Sequence, residues 1–148
     1  MRPASAAAQA RTGATPDTVY ALLCDASSWP TWIDVDSVNL EAEGRDGGES
    51  VGAVRVFRFR RLGLKFTTRE RIVELAPSRR FGYELVSGLP LPDYRAVVDL
   101  APSAEGGTVI NWSGSWLPKP GTGFLTELAI ARLYRQFSQG LARKAAGL

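Results

Sequence analysis

One stretch constrains the fold of this chain more than any other. Residues 124–146 carry a single amphipathic pattern: at 100° per residue, Ala129, Ile130, Leu133, Tyr134, Phe137 and Leu141 share one face, and Arg132, Arg135, Gln136, Gln139 and Arg143 lie opposite. Burying the large apolar members stabilises a fold by about 1.5–3 kcal/mol each, so this helix needs an apolar surface to cover. Gly140 falls in the same stripe, which predicts a close approach to the covered surface. Gly147 is placed to end the helix as its C′ residue.

The surface comes from residues 35–115, where the hydrophobic period drops from 3.6 to 2 and glycine or proline breaks recur at 44–48, 62–63, 77–78, 88–92 and 102–107. That pattern predicts about six antiparallel strands joined as hairpins. Treating Leu62-Gly63 as a two-residue turn sets Phe59 opposite Phe66, Phe57 opposite Thr68 and Arg55 opposite Glu70. Treating Pro77-Ser78 the same way sets Ile72 opposite Tyr83, Glu74 opposite Phe81 and Glu70 opposite Leu85. The last hairpin aligns Tyr94, Ala96, Val98 and Leu100 with Thr108, Ile110, Trp112 and Gly114. All three hairpins put their aromatic residues on one face, and the first puts Arg58, Arg60, Lys65, Arg69 and Arg71 on the other.

Upstream, residues 4–11 alternate poorly and read as a short edge strand or an unstructured arm. Thr15-Pro16-Asp17 supplies an N-cap, a proline in the first turn and an acid near the helix start, with Val19, Leu22 and Leu23 following at helical spacing. Asp25 then caps a turn, and Trp29-Pro30-Thr31-Trp32 forms a second short helical element.

Composition narrows the chemistry. The 148 residues, 45% hydrophobic, suit one domain with one core. With no histidine and one cysteine, Cys24, a zinc site, a Ser/His triad, a Cys/His dyad and an internal disulfide are all excluded. No metal and no cofactor is expected. The alanine-rich start lacks the apolar centre of a signal peptide, and no apolar run approaches the roughly 18 residues of a membrane span, so the expected location is the cytoplasm.

The order of elements resembles the START/Bet v 1-like (SRPBCC) helix-grip superfamily. The local sequences that carry the likeness are Pro16-Asp17-Thr18-Val19-Tyr20-Ala21-Leu22-Leu23 with Asp25 and Trp29-Pro30-Thr31-Trp32, then Val73-Glu74-Leu75-Ala76-Pro77 with Arg80-Phe81, and Gly106-Gly107-Thr108 with Trp112. More narrowly the chain is similar to the polyketide cyclase/dehydrase-type branch. The resemblance implies an α+β fold in which a curved antiparallel sheet of about seven strands wraps a long C-terminal helix and leaves an internal cavity. It implies no universal catalytic residue, so candidates come from the residues themselves.

Arg55 and Glu70, opposite each other on an otherwise apolar face, are the leading catalytic candidates, with Tyr94 as a hydroxyl donor. The alternative is a one-residue bulge that turns both charges to solvent, or a structural ion pair at the sheet rim. Trp32, Phe57, Phe59, Phe66, Ile72, Tyr83, Leu85, Val98, Trp112, Leu133, Tyr134 and Phe137 are the expected ligand-contacting residues, each otherwise plain core, and Trp116 is placed near the entrance. The basic strip reads as a solvated strand face or as a surface for an anionic macromolecule. It lacks interleaved aromatics, so nucleic acid is not expected. The expected function is binding of a polyketide-like, aromatic or lipid molecule, with cofactor-free cyclisation or dehydration if the protein is an enzyme. Two further readings are a non-catalytic lipid or coenzyme carrier and a module docking through its basic face, in either case a monomer or homodimer.

Overall fold

A computed structural model describes residues 2–148. Strand β1 (Ala4–Thr12) leads to helix α1 (Pro16–Cys24), a 3₁₀ turn (Ala26–Thr31), strands β2 (Ser37–Ala42), β3 (Val54–Arg61), β4 (Leu64–Ala76), β5 (Arg80–Ser87), β6 (Arg95–Pro102) and β7 (Thr108–Trp116), and helix α2 (Gly123–Ala146). The strands form one antiparallel sheet in the order β1-β7-β6-β5-β4-β3-β2, curved around α2 in the expected helix-grip arrangement.

Local chemistry accounts for the start of the fold. Thr15 caps α1 by accepting from the Thr18 backbone N–H, and Asp25 caps the 3₁₀ turn by accepting from the Ser27 N–H at 3.1 Å. Residues 4–11 are a true edge strand, whose alanines 4, 6, 8 and 10 all pack toward the core while Ser5, Ala7 and Gln9 point outward. These short side chains let α2 lie closest along β1 and next on β7. Gly114 completes the fit on β7, since a Cβ there would sit 2.1 Å from the Tyr134 hydroxyl. Gly140 serves a different contact from the one expected. A Cβ there would meet the Trp32 carbonyl at 2.0 Å, so the helix presses on the end of the 3₁₀ turn rather than on the sheet.

The buried stripe of α2 is also rotated from the wheel. It comprises Ile130, Tyr134, Ser138, Leu141, Ala142 and Ala145, while Ala129 is exposed. Gly147 ends the helix in a right-handed conformation, φ −87°, so its left-handed freedom is unused.

The β3–β4 register is the expected one, with Phe59 opposite Phe66, Phe57 opposite Thr68 and Arg55 opposite Glu70. The β4–β5 hairpin reaches its pairing differently. Three residues, Pro77 to Arg79, separate the paired Ala76 and Arg80, and a bulge at Val73 restores the offset. Ile72 therefore faces Tyr83 and Glu70 faces Leu85, but Glu74 faces Gly82, and Leu75 takes the place opposite Phe81.

The core fills the end of the grip beneath α1 and the 3₁₀ turn. Trp112, wholly buried, is its hub, with ring centroids 6.0 Å from Trp29, 6.2 Å from Trp32 and 5.4 Å from Phe137. Because α2 lies toward the β1 edge, the concave surface of β3 and β4 is left without a helix against it.

Candidate functional site

That gap is a cavity of ≈ 220 Å³. Its walls are Phe57 and Phe59 of β3, Thr68 and Glu70 of β4, Tyr83 of β5, and Tyr94 just before β6. Ile130, Leu133, Tyr134 and Phe137 of α2 close it from above, at positions spaced three or four apart so that they share one helix face. Ile33, Asp34, Val35, Arg61, Leu89 and Leu91 complete its rim. A larger depression of ≈ 560 Å³ on the outer face, floored by Ser5, Ala7, Val97, Ser113 and Ser115, is an open dip over small side chains with no titratable group except Arg95.

Glu70 is the polar feature of the cavity. Among the described residues its carboxyl makes no hydrogen bond and no ion pair, and the residue lines the cavity. Burial raises its pKa from the ordinary 4.5 to about 8, against a smaller downward pull from the Arg55 charge. The carboxyl therefore holds its proton at neutral pH and is both donor and acceptor.

Arg55 lies across the strand pair from Glu70 but belongs to another cluster. Its Nη2 sits 2.6 Å from the Glu49 carboxylate and donates to the Leu23 carbonyl at 2.8 Å, and Glu49 in turn accepts from the Ala26 N–H at 2.9 Å. The guanidinium is only 2% exposed, and its Nε and Nη1 have no acceptor among the described residues. It lies 5.4 Å from the Trp29 ring and 5.1 Å from the Phe81 ring, an aromatic sandwich that suits a weakly hydrated cation. Burial lowers its pKa and Glu49 pushes it back up. Arg55 does not line the cavity. It ties the end of α1 to the sheet and acts on Glu70 only through its charge.

Three phenols surround Glu70. The Tyr94 and Tyr134 hydroxyls hydrogen-bond each other, and the Trp112 Nε1 donates to the Tyr83 hydroxyl at 3.1 Å. Burial is the main reason all three titrate above the ordinary tyrosine value, and the neighbouring Glu70 charge adds to it, so they remain neutral hydroxyls. The result is a cavity with aromatic and aliphatic walls and a polar patch of the Glu70 carboxyl and three phenol hydroxyls, with Thr68 also in its wall.

Of the sequence-derived site residues, the cavity gathers Glu70, Tyr94, Phe57, Phe59, Tyr83, Leu133, Tyr134 and Phe137. Trp32, Ile72, Val98 and Trp112 are buried in the core behind it, and Leu85 is half-buried beside it. Phe66, 38% exposed, stacks on Phe59 at 5.6 Å and does not line the cavity. Trp116 is also core, packed on Tyr94 at 6.2 Å, rather than at the entrance. Thr68, Trp29, Ile130 and the loop residues Ile33, Leu89 and Leu91 were not among the expected contacts. Thr68 was accessible to the register argument, since it pairs with Phe57 on the same face. Glu49 carried no periodic signal, because it sits in the loop before β3.

The basic strip is neutralised only in part. Arg69 pairs with Glu41 at 3.0 Å, Arg71 with Glu84 at 2.8 Å, and Arg58 donates to Asn39 at 3.3 Å.

A model of the family described as "Polyketide cyclase / dehydrase and lipid transport" matches residues 3–146. The chain belongs to this family. Solved structures agree on the fold. A START superfamily protein from Mycobacterium smegmatis aligns with a TM-score of 0.82 at 12% identity, covering 97% of this chain and 98% of that one. Ara h 8.0201 aligns at 0.77 and 13% identity, covering 99% and 100%, and XoxI from Bacillus cereus at 0.77 and 17%, covering 95% and 94%. No curated protein sequence matches the chain. Family and fold together make this a helix-grip domain of the hydrophobic-ligand-binding type, with no helix long and apolar enough to cross a membrane among the described residues.

Proposed function

We propose that the cavity binds a small apolar molecule bearing a carbonyl or hydroxyl oxygen, and that Glu70 and the Tyr94/Tyr134 pair meet that oxygen. The observation that carries this reading is the partnerless Glu70 carboxyl facing an aromatic cavity. A buried polar group without a partner is costly, and a ligand oxygen in hydrogen-bond reach would offset that cost. At ≈ 220 Å³ the cavity is below the ~300–1,000 Å³ of typical ligand pockets, which favours a compact one- or two-ring body over a long acyl chain.

The same geometry supports chemistry. A carboxyl with a pKa of about 8 gives and takes a proton near neutrality, as cofactor-free cyclisation or dehydration of a carbonyl compound requires. Tyr94 and Tyr134 would polarise the carbonyl while the walls hold the chain folded on itself. Docking of a macromolecule across the basic outer face gains less support, because Arg69 and Arg71 are already paired there with Glu41 and Glu84.

Titration with naphthalene and 2-naphthol tests the polar contact. The hydroxyl should raise affinity roughly fivefold or more in the native protein. In Glu70→Leu that advantage should vanish while naphthalene still binds. Equal affinities of the native protein for the two compounds would remove Glu70 from the proposed site.

A further inference from the structure

The β3–β4 hairpin projects past the cavity rim and carries an unusual tip. Leu62 and Gly63 both have left-handed backbone, φ 52° and 78°, the two-residue turn for which Asn-Gly is the natural sequence. A leucine there is disfavoured by its backbone and by its surroundings, because Leu62 is 102% exposed. Leu64, 64% exposed, and Phe66 follow on the concave side. On the convex side Arg60 and Lys65 face each other in register and form no ion pair among the described residues. No acidic residue occurs between Arg55 and Glu70. Asp34, its side chain exposed, is matched by Arg61, 3.1 Å away. Leu89, exposed on the β5–β6 loop, lines the same cavity as Phe59 and Arg61, so the tip and the cavity mouth share one end of the molecule.

We propose that this hairpin tip docks on an anionic lipid surface, with Leu62, Leu64 and Phe66 entering the acyl boundary and Arg60 and Lys65 at the headgroups. An apolar point with a cationic collar has the charge and shape complementary to such a surface: long basic side chains reach the phosphate level while the leucines leave water. Docking in this orientation brings the cavity mouth to the bilayer. The inference goes beyond the cavity's contents and stands or falls without any cavity ligand.

The test is co-sedimentation of the full chain with phosphatidylcholine vesicles, with and without phosphatidylglycerol. The native protein should sediment with the mixed vesicles and much less with phosphatidylcholine alone. Leu62→Asn restores the favoured Asn-Gly turn, so its unfolding temperature should hold or rise while vesicle partitioning drops roughly fivefold or more. Arg60→Gln with Lys65→Gln should lower partitioning roughly tenfold or more. Phe124→Ser removes a 71% exposed aromatic from the start of α2, away from the tip, and should change nothing. The proposal is overturned if the native protein ignores anionic vesicles, if Leu62→Asn binds them as well as the native chain, or if Phe124→Ser alone abolishes binding. Binding to poly(U) without vesicle binding would assign the cations to nucleic acid instead and overturn it equally.

Discussion

Replacing Glu70 by glutamine should stabilise this protein, and by an amount that grows with pH. The native state holds the Glu70 proton up to about pH 8, whereas the unfolded chain releases it near 4.5. Between those values the native state binds more protons than the unfolded state, so stability falls as pH rises through the window and is flat on either side. At 1.36 kcal/mol per pKa unit the loss attributable to Glu70 is about 3 kcal/mol at pH 7 and approaches about 5 kcal/mol above pH 8. Glutamine keeps the shape and the hydrogen-bonding capacity but never ionises. Urea unfolding of both proteins at pH 5, 7 and 9 reads the difference directly, and groups titrating equally in both, such as Cys24, cancel. Glu70→Gln should exceed the native protein by less than about 1 kcal/mol at pH 5 and by increasing amounts at 7 and 9. Parallel curves across that range would show that Glu70 is ionised and solvated, and the description of the site would fail with it.

Other substitutions separate structural from cavity roles. Glu49→Ala should have the opposite sign to Glu70→Gln, costing about 3–5 kcal/mol by leaving Arg55 buried without its ion-pair partner, as measured by urea unfolding near neutral pH. A loss under ~1 kcal/mol would contradict the assignment of Arg55 to that cluster. Gly140→Ala should destabilise by about 1–3 kcal/mol, since the new methyl meets the Trp32 backbone carbonyl, and an unchanged unfolding temperature would mean that α2 sits farther from the 3₁₀ turn. Tyr94→Phe removes the hydroxyl bonded to Tyr134 and should cost about 1 kcal/mol in unfolding free energy.

Much of this architecture was legible because two-residue turns and period-2 alternation are local signals. Leu62-Gly63 fixed the β3–β4 register, and with it the placement of Arg55 across from Glu70. The β4–β5 register came out right beyond Val73 only because the longer turn and the bulge offset each other, and Glu74 shows the error where they do not. What failed was non-local. Register says which residues face each other, not which bond, so Arg55 was matched with Glu70 although Glu49 reaches it from a loop with no periodicity. The wheel likewise gave α2 an apolar face but not its rotation, which the small residues of β1 and Gly114 decide.

The central claim is that the space between α2 and the β3–β5 surface takes a ligand. NMR titration of the native protein with 2-naphthol, followed on Tyr83, Tyr94, Leu133 and Phe137, tests it most directly. Saturable one-site shifts centred on those residues are predicted, and they should disappear in Leu133→Trp, whose larger side chain fills the cavity. Shifts scattered over the surface, or a response that Leu133→Trp leaves unchanged, would contradict it.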